Sequence, residues 1–327
     1  MTRISFEAIS ETLQRVLCSV GFSNDRAELC ARLFAESSRD GVYSHGLNRF
    51  PRFIETIKSG IVDANGEPQL VHSFGALERW DGMSGPGNLN AYASMTRAVS
   101  LAKIHGIGCI ALRNTNHWMR GGTYGWQAAD AGLIGICWTN TLPNLPPWGG
   151  TKPTIGNNPI VIAVPRDAGH LVLDMAMSQF SFGALETYRK RGEQLPVVGG
   201  FDRNGELTKD PGAIETSGRP LPIGYWKGSG LSLMLDALAA LLSDGSATNQ
   251  VPREVAKETR LSQVFIAFAA SETDSEKTLN GILEFMKSAS SEATVRYPGE
   301  RTLETRKENL RDGIPVEPHV WDAILRL

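Results

Sequence analysis

Short apolar segments of strand length dominate the middle of the chain. Four of them lie at residues 106–113, 132–140, 158–164 and 171–176, and another candidate lies at 265–270. Apolar runs of this length between turn-forming residues indicate β-strands. Because strands frequently follow strands here without a helix between them, a regular βαβ series is disfavoured. We therefore predict a mixed α/β (α+β) fold with a mixed, largely antiparallel sheet.

Helical segments are predicted on both sides of these strands. Ser5 and Ser23 are candidate N-caps of two amphipathic helices that end near Gly21 and Gly41. A third helix is expected around residues 50–60, where apolar side chains recur at helical spacing. Later helices are predicted at residues 89–104, 231–243, 276–288 and 316–327.

The length of 327 residues corresponds to about two domains at roughly 150 residues each. We expect residues 1–75 to form a helical N-terminal part, with C-terminal helices at 303–327 packing nearby. Residues 76–302 are expected to form an α/β part. Within it, residues 192–222 are rich in Gly, Pro and charged residues. This composition predicts an extended segment on the surface.

Charge and cysteine content narrow the class of protein. The chain has 33 Lys and Arg against 35 Asp and Glu, so it lacks the basic excess of a nucleic-acid binder. No CxxC and no zinc-like Cys/His spacing occurs, so we predict reduced thiols and no metal site. The N-terminus lacks the apolar core of a signal peptide, and the longest apolar stretch is too short to span a bilayer. We expect a cytoplasmic protein with no membrane association.

Common nucleotide-binding and hydrolase motifs are absent from the sequence. Neither GxGxxG nor a Walker A loop occurs, and the glycine pairs at Gly85/Gly87 and Gly228/Gly230 lack the third glycine of the dinucleotide fingerprint. The nucleophile elbow GxSxG is also missing. A nicotinamide site in this chain would therefore not use a Rossmann turn.

His45 lies in a run of small and polar residues, GVYSHG, and Arg49 follows four positions later. If this segment enters a helix, the two side chains share one face. A proton donor beside a carboxylate-binding guanidinium suits acid–base chemistry on an organic acid. The alternative is a solvated turn before a helix.

Three further polar positions are candidates. His117 follows an apolar strand in RNTNHWMRGG, which suits either a ligand-facing loop or a structural turn. Asp174 interrupts an apolar run and needs a partner, in a site or in a structural ion pair. Lys227 precedes an apolar helix whose N-terminus can hold phosphate, although many surface helices begin this way.

Several long stretches resemble one family. GVYSHGLNRFPRFI, ALRNTNHWMRGGTYGWQAA, GICWTNT, LDMAMSQFSFG and PIGYWKGSGLSLMLD are similar to the malate/L-lactate dehydrogenase-like family, which is distinct from the Rossmann malate and lactate dehydrogenases. The resemblance runs from residue 4 to 327. It implies a non-Rossmann NAD(P)-binding fold and a homodimer with the active site near the subunit interface.

By position, the resemblance implies that His45 is the proton donor and His117 a second active-site histidine. Asp174 would orient a histidine or contact the cofactor. Ser44, Arg49 and Asn140 match substrate-pocket positions, and the ureidoglycolate branch has Lys where Asn140 stands, which disfavours that substrate. Cofactor contacts are expected at His170, Leu171, Val172, Leu173, Asp174, Met175, Ala176, Trp226, Lys227, Gly299, Glu300 and Arg301.

The reaction implied by the resemblance is hydride transfer between NADH and a 2-keto acid, with a keto sugar acid as the expected substrate. NADPH is not excluded. Alternatives within the family are malate, lactate, sulfolactate or a cyclic imino acid. A nucleotide- or sugar-acid-binding protein without turnover is an alternative of another class. The joint presence of Ser44, His45, Arg49 and His117 favours an enzyme.

Overall fold

The computed structural model describes residues 2–270, 275–290 and 295–327. The strands in these ranges are β1 (Thr2–Ile4), β2 (Gln69–Phe74), β3 (Leu77–Asp81), β4 (Ile107–Thr115), β5 (Leu133–Thr139), β6 (Pro143–Leu145), β7 (Ile155–Gly156), β8 (Ile160–Val164), β9 (Leu171–Met175), β10 (Gly200–Phe201), β11 (Leu207–Thr208), β12 (Leu261–Ala269) and β13 (Ile314–Val316). The helices are α1 (Phe6–Ser19), α2 (Asn24–Arg39), α3 (Phe50–Lys58), α4 (Gly87–His105), α5 (Gly122–Asp130), α6 (Phe182–Arg191), α7 (Pro211–Ser217), α8 (Trp226–Ser243), α9 (Ser275–Lys287), α10 (Glu300–Asp312) and α11 (Pro318–Leu325).

A seven-stranded sheet in the order β2-β3-β4-β12-β5-β8-β9 carries the α/β part. The β3–β4 pair is parallel and the other pairs are antiparallel, so the predicted mixed, largely antiparallel sheet is confirmed. Phe265 of β12 packs with α4 and α5 on one face of the sheet. Val264 packs with α8 on the other face. Because helices cover both faces, β12 is apolar without alternation.

The N-terminal helices form a separate apolar cluster with the C-terminus. Ser5 caps α1 by accepting the N–H of Ala8 at 3.2 Å. Buried side chains of α1, α2 and α3 pack against Ile314, Val320 and Ile324. Strand β1 pairs with β13, which holds the two ends of the described chain together beside this cluster.

Several elements differ from the sequence predictions. Strand β2 precedes residue 76, so the sheet begins inside the range assigned to the helical part; its six residues are all exposed at the sheet edge and show no alternation. Residues 192–222 contain β10, β11 and α7 rather than only extended chain. Helix α7 begins where Asp210 accepts the N–H groups of Gly212 and Ala213. Helix α10 is strongly charged and buries only Asn309, so it lacks an apolar periodicity.

The four cysteines are free thiols, as predicted. Cys30 and Cys137 are buried, whereas Cys18 and Cys109 are half-buried. None of the helices in the described ranges combines the length and the apolar character that a bilayer span requires.

A buried carboxylate joins three distant segments. Asp40, at the C-terminus of α2, receives hydrogen bonds from Arg306 of α10 at 2.8 and 2.7 Å. It also accepts from Arg120, in the loop between β4 and α5, at 2.5 Å and from Arg39 at 2.8 Å. Burial alone would raise the pKa of Asp40, but these guanidinium groups outweigh it and hold the pKa well below its ordinary value. The carboxylate therefore links the helical layer to the sheet.

Replacing Asp40 by Asn is expected to lower the free energy of unfolding by about 3–5 kcal/mol, because buried guanidinium groups lose their counter-charge. The pKa of Asp40 is depressed in the folded state, so its stabilising effect is full above the unfolded pKa of about 3.9 and is lost as the pH falls below that value. Urea unfolding at several pH values measures this. Asp312→Asn, at an exposed pair with Arg311, is the control. Equal stability of Asp40→Asn and wild type at neutral pH would contradict the assignment.

Candidate active site

A cavity of about 810 Å³ lies between the N-terminal helices and the β9 edge of the sheet. This volume is typical of small-molecule sites, which range over roughly 300–1,000 Å³. Its wall contains the predicted site residues Ser44, His45, Arg49, His117 and Asp174. The fold thus brings together residues from three segments that are far apart in the sequence.

The segment that carries His45 is a tight double turn rather than a regular helix. Two 3-10 turns, Tyr43–His45 and Leu47–Arg49, flank Gly46. A Cβ on Gly46 would lie 2.1 Å from the Ser38 hydroxyl, which itself accepts the N–H of Leu47 at 2.8 Å. Glycine therefore lets the turn lie directly on the end of α2.

His45 is held beside a hydroxyl and between two cations. Its Nδ1 lies 3.0 Å from the Ser44 Oγ. Burial, followed by the charges of Arg49 and Arg120, lowers the pKa of His45 to about 4. The imidazole is therefore neutral near pH 7 in the ligand-free chain.

His117 lies just beyond the end of β4, where the chain passes against the start of α4. A Cβ on Gly87 would lie 2.3 Å from the His117 carbonyl oxygen, so the close passage requires glycine. The rings of His45 and His117 are 5.8 Å apart between centroids and inclined by 23°. Burial and the charge of Arg49 hold the pKa of His117 well below its ordinary value.

The guanidinium of Arg49 forms no hydrogen bond or ion pair with any of the described residues. Burial and the neighbouring charge of Arg52 lower its pKa to about 10, while Glu258 opposes that shift. A buried cation without a partner is costly. Its planar fork of donors matches a carboxylate, which would complete the site.

Asp174 faces the cavity from β9. Its Oδ2 accepts the N–H of Gly122 at 2.7 Å, at the start of α5. Burial raises the pKa of Asp174, while Arg120 and the Gly122 N–H oppose the rise. A helix N-terminus of this kind favours the ionised carboxylate.

The predicted cofactor residues divide into two groups. Val172, Leu173, Asp174, Ala176 and Gly299 line the cavity. A Cβ on Gly299 would lie 3.1 Å from the Val172 nitrogen and 3.2 Å from the His170 oxygen, so this glycine lets the chain lie flat against β9. The remaining predicted cofactor residues are outside the cavity wall: His170, Leu171, Met175, Trp226, Lys227, Glu300 and Arg301.

Some of these outer residues have other partners. His170 contacts Asp130 at 3.0 Å through Nε2, and Glu300 pairs with Lys287 at 2.5 Å. Trp226 begins α8 and is 66% exposed. The loop before it is joined to the chain after β9 by the hydrogen bond from the Ile223 N–H to the Met177 oxygen, 2.8 Å long.

Asn140 is not brought to the cavity, contrary to the substrate-pocket position that the resemblance implies. Its amide nitrogen donates to Asp236 at 3.0 Å and to the Ser246 oxygen at 2.7 Å. Its amide oxygen accepts the N–H of Ser262 at 2.8 Å. The side chain is buried and fully used in joining β5, β12 and α8, because strand-end amides satisfy buried backbone groups as readily as ligands.

Sequence reasoning missed several charged groups in the wall, among them Arg120 and Glu258. Arg120 is buried, and its Nε has no partner among the described residues. The signal for Arg120 was its place three residues after His117 in NHWMRGG. Glu258 accepts the N–H of Leu142 at 3.3 Å. It lies in a polar stretch of sequence that offers no local sign of a site.

The sequence matches the malate/L-lactate dehydrogenase family over residues 4–325. It is 47% identical to a 2,3-diketo-L-gulonate reductase of Citrobacter koseri, with 99% of this chain and 100% of that protein covered. A reductase of the same name from Escherichia coli O1:K1 is 46% identical, with the same coverage.

Two solved structures have the same fold. A sulfolactate dehydrogenase from Methanocaldococcus jannaschii superposes with a TM-score of 0.90 at 26% identity, covering 99% of this chain and 95% of that one. A delta1-piperideine-2-carboxylate reductase from Pseudomonas syringae superposes with a TM-score of 0.89 at 26% identity, covering 100% and 99%. The likeness therefore extends over the whole chain.

Removal of the Arg49 charge is expected to raise the pKa of His45, because that charge is one of the causes that lower it to about 4. An NMR titration of the His45 ring in Arg49→Met measures the shift. Arg52→Met is the matched control, since Arg52 is not among the groups that act on His45. An unchanged pKa of His45 in Arg49→Met would show that the guanidinium is not coupled to the ring.

Proposed function

The chain belongs to the malate/L-lactate dehydrogenase family of oxidoreductases, and on that basis we propose that it reduces 2,3-diketo-L-gulonate to 3-keto-L-gulonate with NADH. The substrate follows from the full-length relatives at 46–47% identity. It agrees with the keto sugar acid that the sequence predicts. Both the substrate and the choice of NADH are part of the proposal.

The free guanidinium of Arg49 is the single observation that best supports a keto acid. It lines the same cavity as His45 and makes no hydrogen bond or ion pair with the described residues, although Glu258 is close enough to act on its charge. A substrate carboxylate held by two parallel hydrogen bonds from Arg49 would bring the adjacent carbonyl close to both histidines. Positioning of this kind is a large part of the advantage of an enzyme over solution.

Substrate binding would also favour the protonated form of His45, the proton donor. The carboxylate offsets the Arg49 charge, which is one of the causes of the low pKa of His45, so His45 gains a proton more readily in the complex. Protonated His45 then donates to the carbonyl oxygen as that oxygen becomes an alkoxide. Ser44, 3.0 Å from Nδ1, steadies the ring by accepting from its second nitrogen.

The far side of the cavity fits a nicotinamide. Val172 and Leu173 supply apolar wall, Gly299 allows close approach to β9, and Asp174 offers carboxylate oxygens to an amide. When bound, the reduced nicotinamide supplies the hydride for the carbonyl carbon. The side chains of this chain hold the two reactants together and exclude water around them.

His45→Gln is expected to lower kcat by about 10²–10⁴-fold, because the general acid is lost, while NADH still binds. In the wild type, reduction should slow as the pH rises and His45 in the complex loses its proton; the variant should lack that dependence. Steady-state kinetics and NADH fluorescence titration measure both. Full turnover by His45→Gln would contradict the assignment.

Arg49→Met is expected to raise KM for the keto acid by about 10²-fold or more, the cost of a charge-assisted bidentate contact. The substrate panel should include 2,3-diketo-L-gulonate, pyruvate, oxaloacetate and a cyclic imino acid, each with NADH and with NADPH. Turnover of another acid alone would replace the proposed substrate and keep the family. An equal KM for Arg49→Met and wild type would remove Arg49 from substrate binding.

We also propose that the chain forms a homodimer. Helix α8 exposes Leu231, Met234, Leu238 and Leu241, with Leu241 74% exposed. These positions recur at helical spacing and form one apolar stripe on the surface of the chain. Exposed stripes of this kind typically mark protein interfaces, and a second copy would cover this one.

The double substitution Met234→Asp and Leu241→Asp is expected to convert the dimer to a monomer, because two charges in an apolar interface remain unpaired. Sedimentation velocity measures the mass. Leu310→Asp, which places a charge at an exposed apolar residue of α10, is the control. A wild-type chain that sediments as a monomer would contradict the proposal.

A further inference from the structure

The ring of His117 is held in one tautomer by the backbone. Its Nδ1 accepts the N–H of Met119 at 3.0 Å. Met119 adopts a left-handed conformation with φ of 63°, so the chain turns sharply just after the ring. A nitrogen that accepts a hydrogen bond carries no hydrogen, so the single proton of neutral His117 lies on Nε2.

The Nε2–H of His117 has no partner among the described residues, although the ring lines the cavity. His117 is half-buried, so this donor can be reached from the cavity. A donor that faces a cavity and has no protein partner is available to a ligand oxygen.

His117 and His45 differ in their capacity to take a second proton. Protonation of His117 would place a hydrogen on Nδ1 against the Met119 N–H, so the hydrogen bond would become a repulsion between two donors. His45 faces the Ser44 hydroxyl instead. A hydroxyl both donates and accepts, so it rotates to accept from Nδ1 when His45 becomes an imidazolium.

The charged groups around His117 act in the same direction. Arg49 acts on it from the 3-10 turn Leu47–Arg49 and Arg52 from α3, and His45 lies beside it. Glu258 is the carboxylate that lines the cavity near these groups, and it already has Arg49 and Arg52 as neighbours. Neutral His117 is therefore favoured whether or not a substrate offsets one of the cations.

We propose that His117 is a permanently neutral hydrogen-bond donor to the reacting carbonyl oxygen, and that His45 is the sole proton donor. This division of labour rests on the proposed function. A ring separation of 5.8 Å is compatible with one oxygen atom about 3 Å from a nitrogen of each ring. His117 thus acts as an oxyanion-hole donor.

The proton balance of the step follows. The carbonyl carbon accepts a hydride from the reduced nicotinamide, and the π electrons of the C–O bond move to the oxygen. The oxygen takes one proton from His45, which returns to its neutral form. His117 keeps its own proton throughout and contributes a hydrogen bond that strengthens as negative charge develops.

Two substitutions at His117 distinguish a hydrogen-bond donor from a side chain that only fills space. The amide nitrogen of Gln reaches the position of Nε2, whereas that of Asn reaches only the position of Nδ1. We expect His117→Gln to lose less than about tenfold in kcat and His117→Asn to lose about 10²–10³-fold, the cost of one oxyanion-hole donor. The pH profile of His117→Gln should match the wild type, while that of His45→Gln should be flat. Equal losses in the two His117 variants, or a lost pH dependence in His117→Gln, would overturn the proposal.

Nitrogen-15 NMR of the histidine-labelled full chain tests the tautomer without any substrate. His117, assigned by its missing signals in His117→Gln, should show a bare Nδ1 and a protonated Nε2 at every pH from about 5.5 to 9. A proton on Nδ1, or titration within that range, would refute the inference even if the enzyme is active. Failure of 2,3-diketo-L-gulonate as a substrate would refute only the proposed function. The kinetic comparison would then use whichever keto acid is turned over.

Discussion

The buried carboxylate of Asp40 is the interaction on which the geometry of the cavity depends. It ends α2 just before the turn that carries His45, and its guanidinium partners come from α10 and from the loop that follows His117. A charge that is removed from water must be paired. The end of α2, helix α10 and the loop after His117 are therefore held together where Asp40 meets its guanidinium partners. The two histidines approach each other because their segments are joined behind them.

The balance of charged groups in the cavity wall also explains its chemistry. Arg49 makes no hydrogen bond or ion pair with the described residues, and its charge lowers the pKa of both histidines. An organic acid that binds Arg49 supplies the missing anion and changes the proton affinity of His45. In the proposed mechanism, substrate binding and proton supply are therefore coupled through the Arg49 guanidinium. The carboxylate of Glu258, close to Arg49, offsets part of the positive charge of Arg49.

Much of the scaffold was predictable, because its signals are local. The cap at Ser5 and the apolar strands both depend on neighbours in the sequence. Elements without such signals were missed: β2, for example, is exposed throughout and shows no alternation. Glu258 reaches the cavity from a polar stretch that resembles any surface loop.

The sequence by itself determined the mixed sheet and the absence of a Rossmann phosphate loop, because each depends on residue types at short spacing. Only the tertiary structure decided that Asn140 joins strands and that Asp40 gathers three guanidinium groups. It alone also decided that Arg120, from the loop after His117, pairs with Asp40 at the end of α2. The physical reason is that a polar side chain of a given type can satisfy a ligand, a backbone group or a counter-ion equally well. Which of them it meets depends on segments distant in the chain.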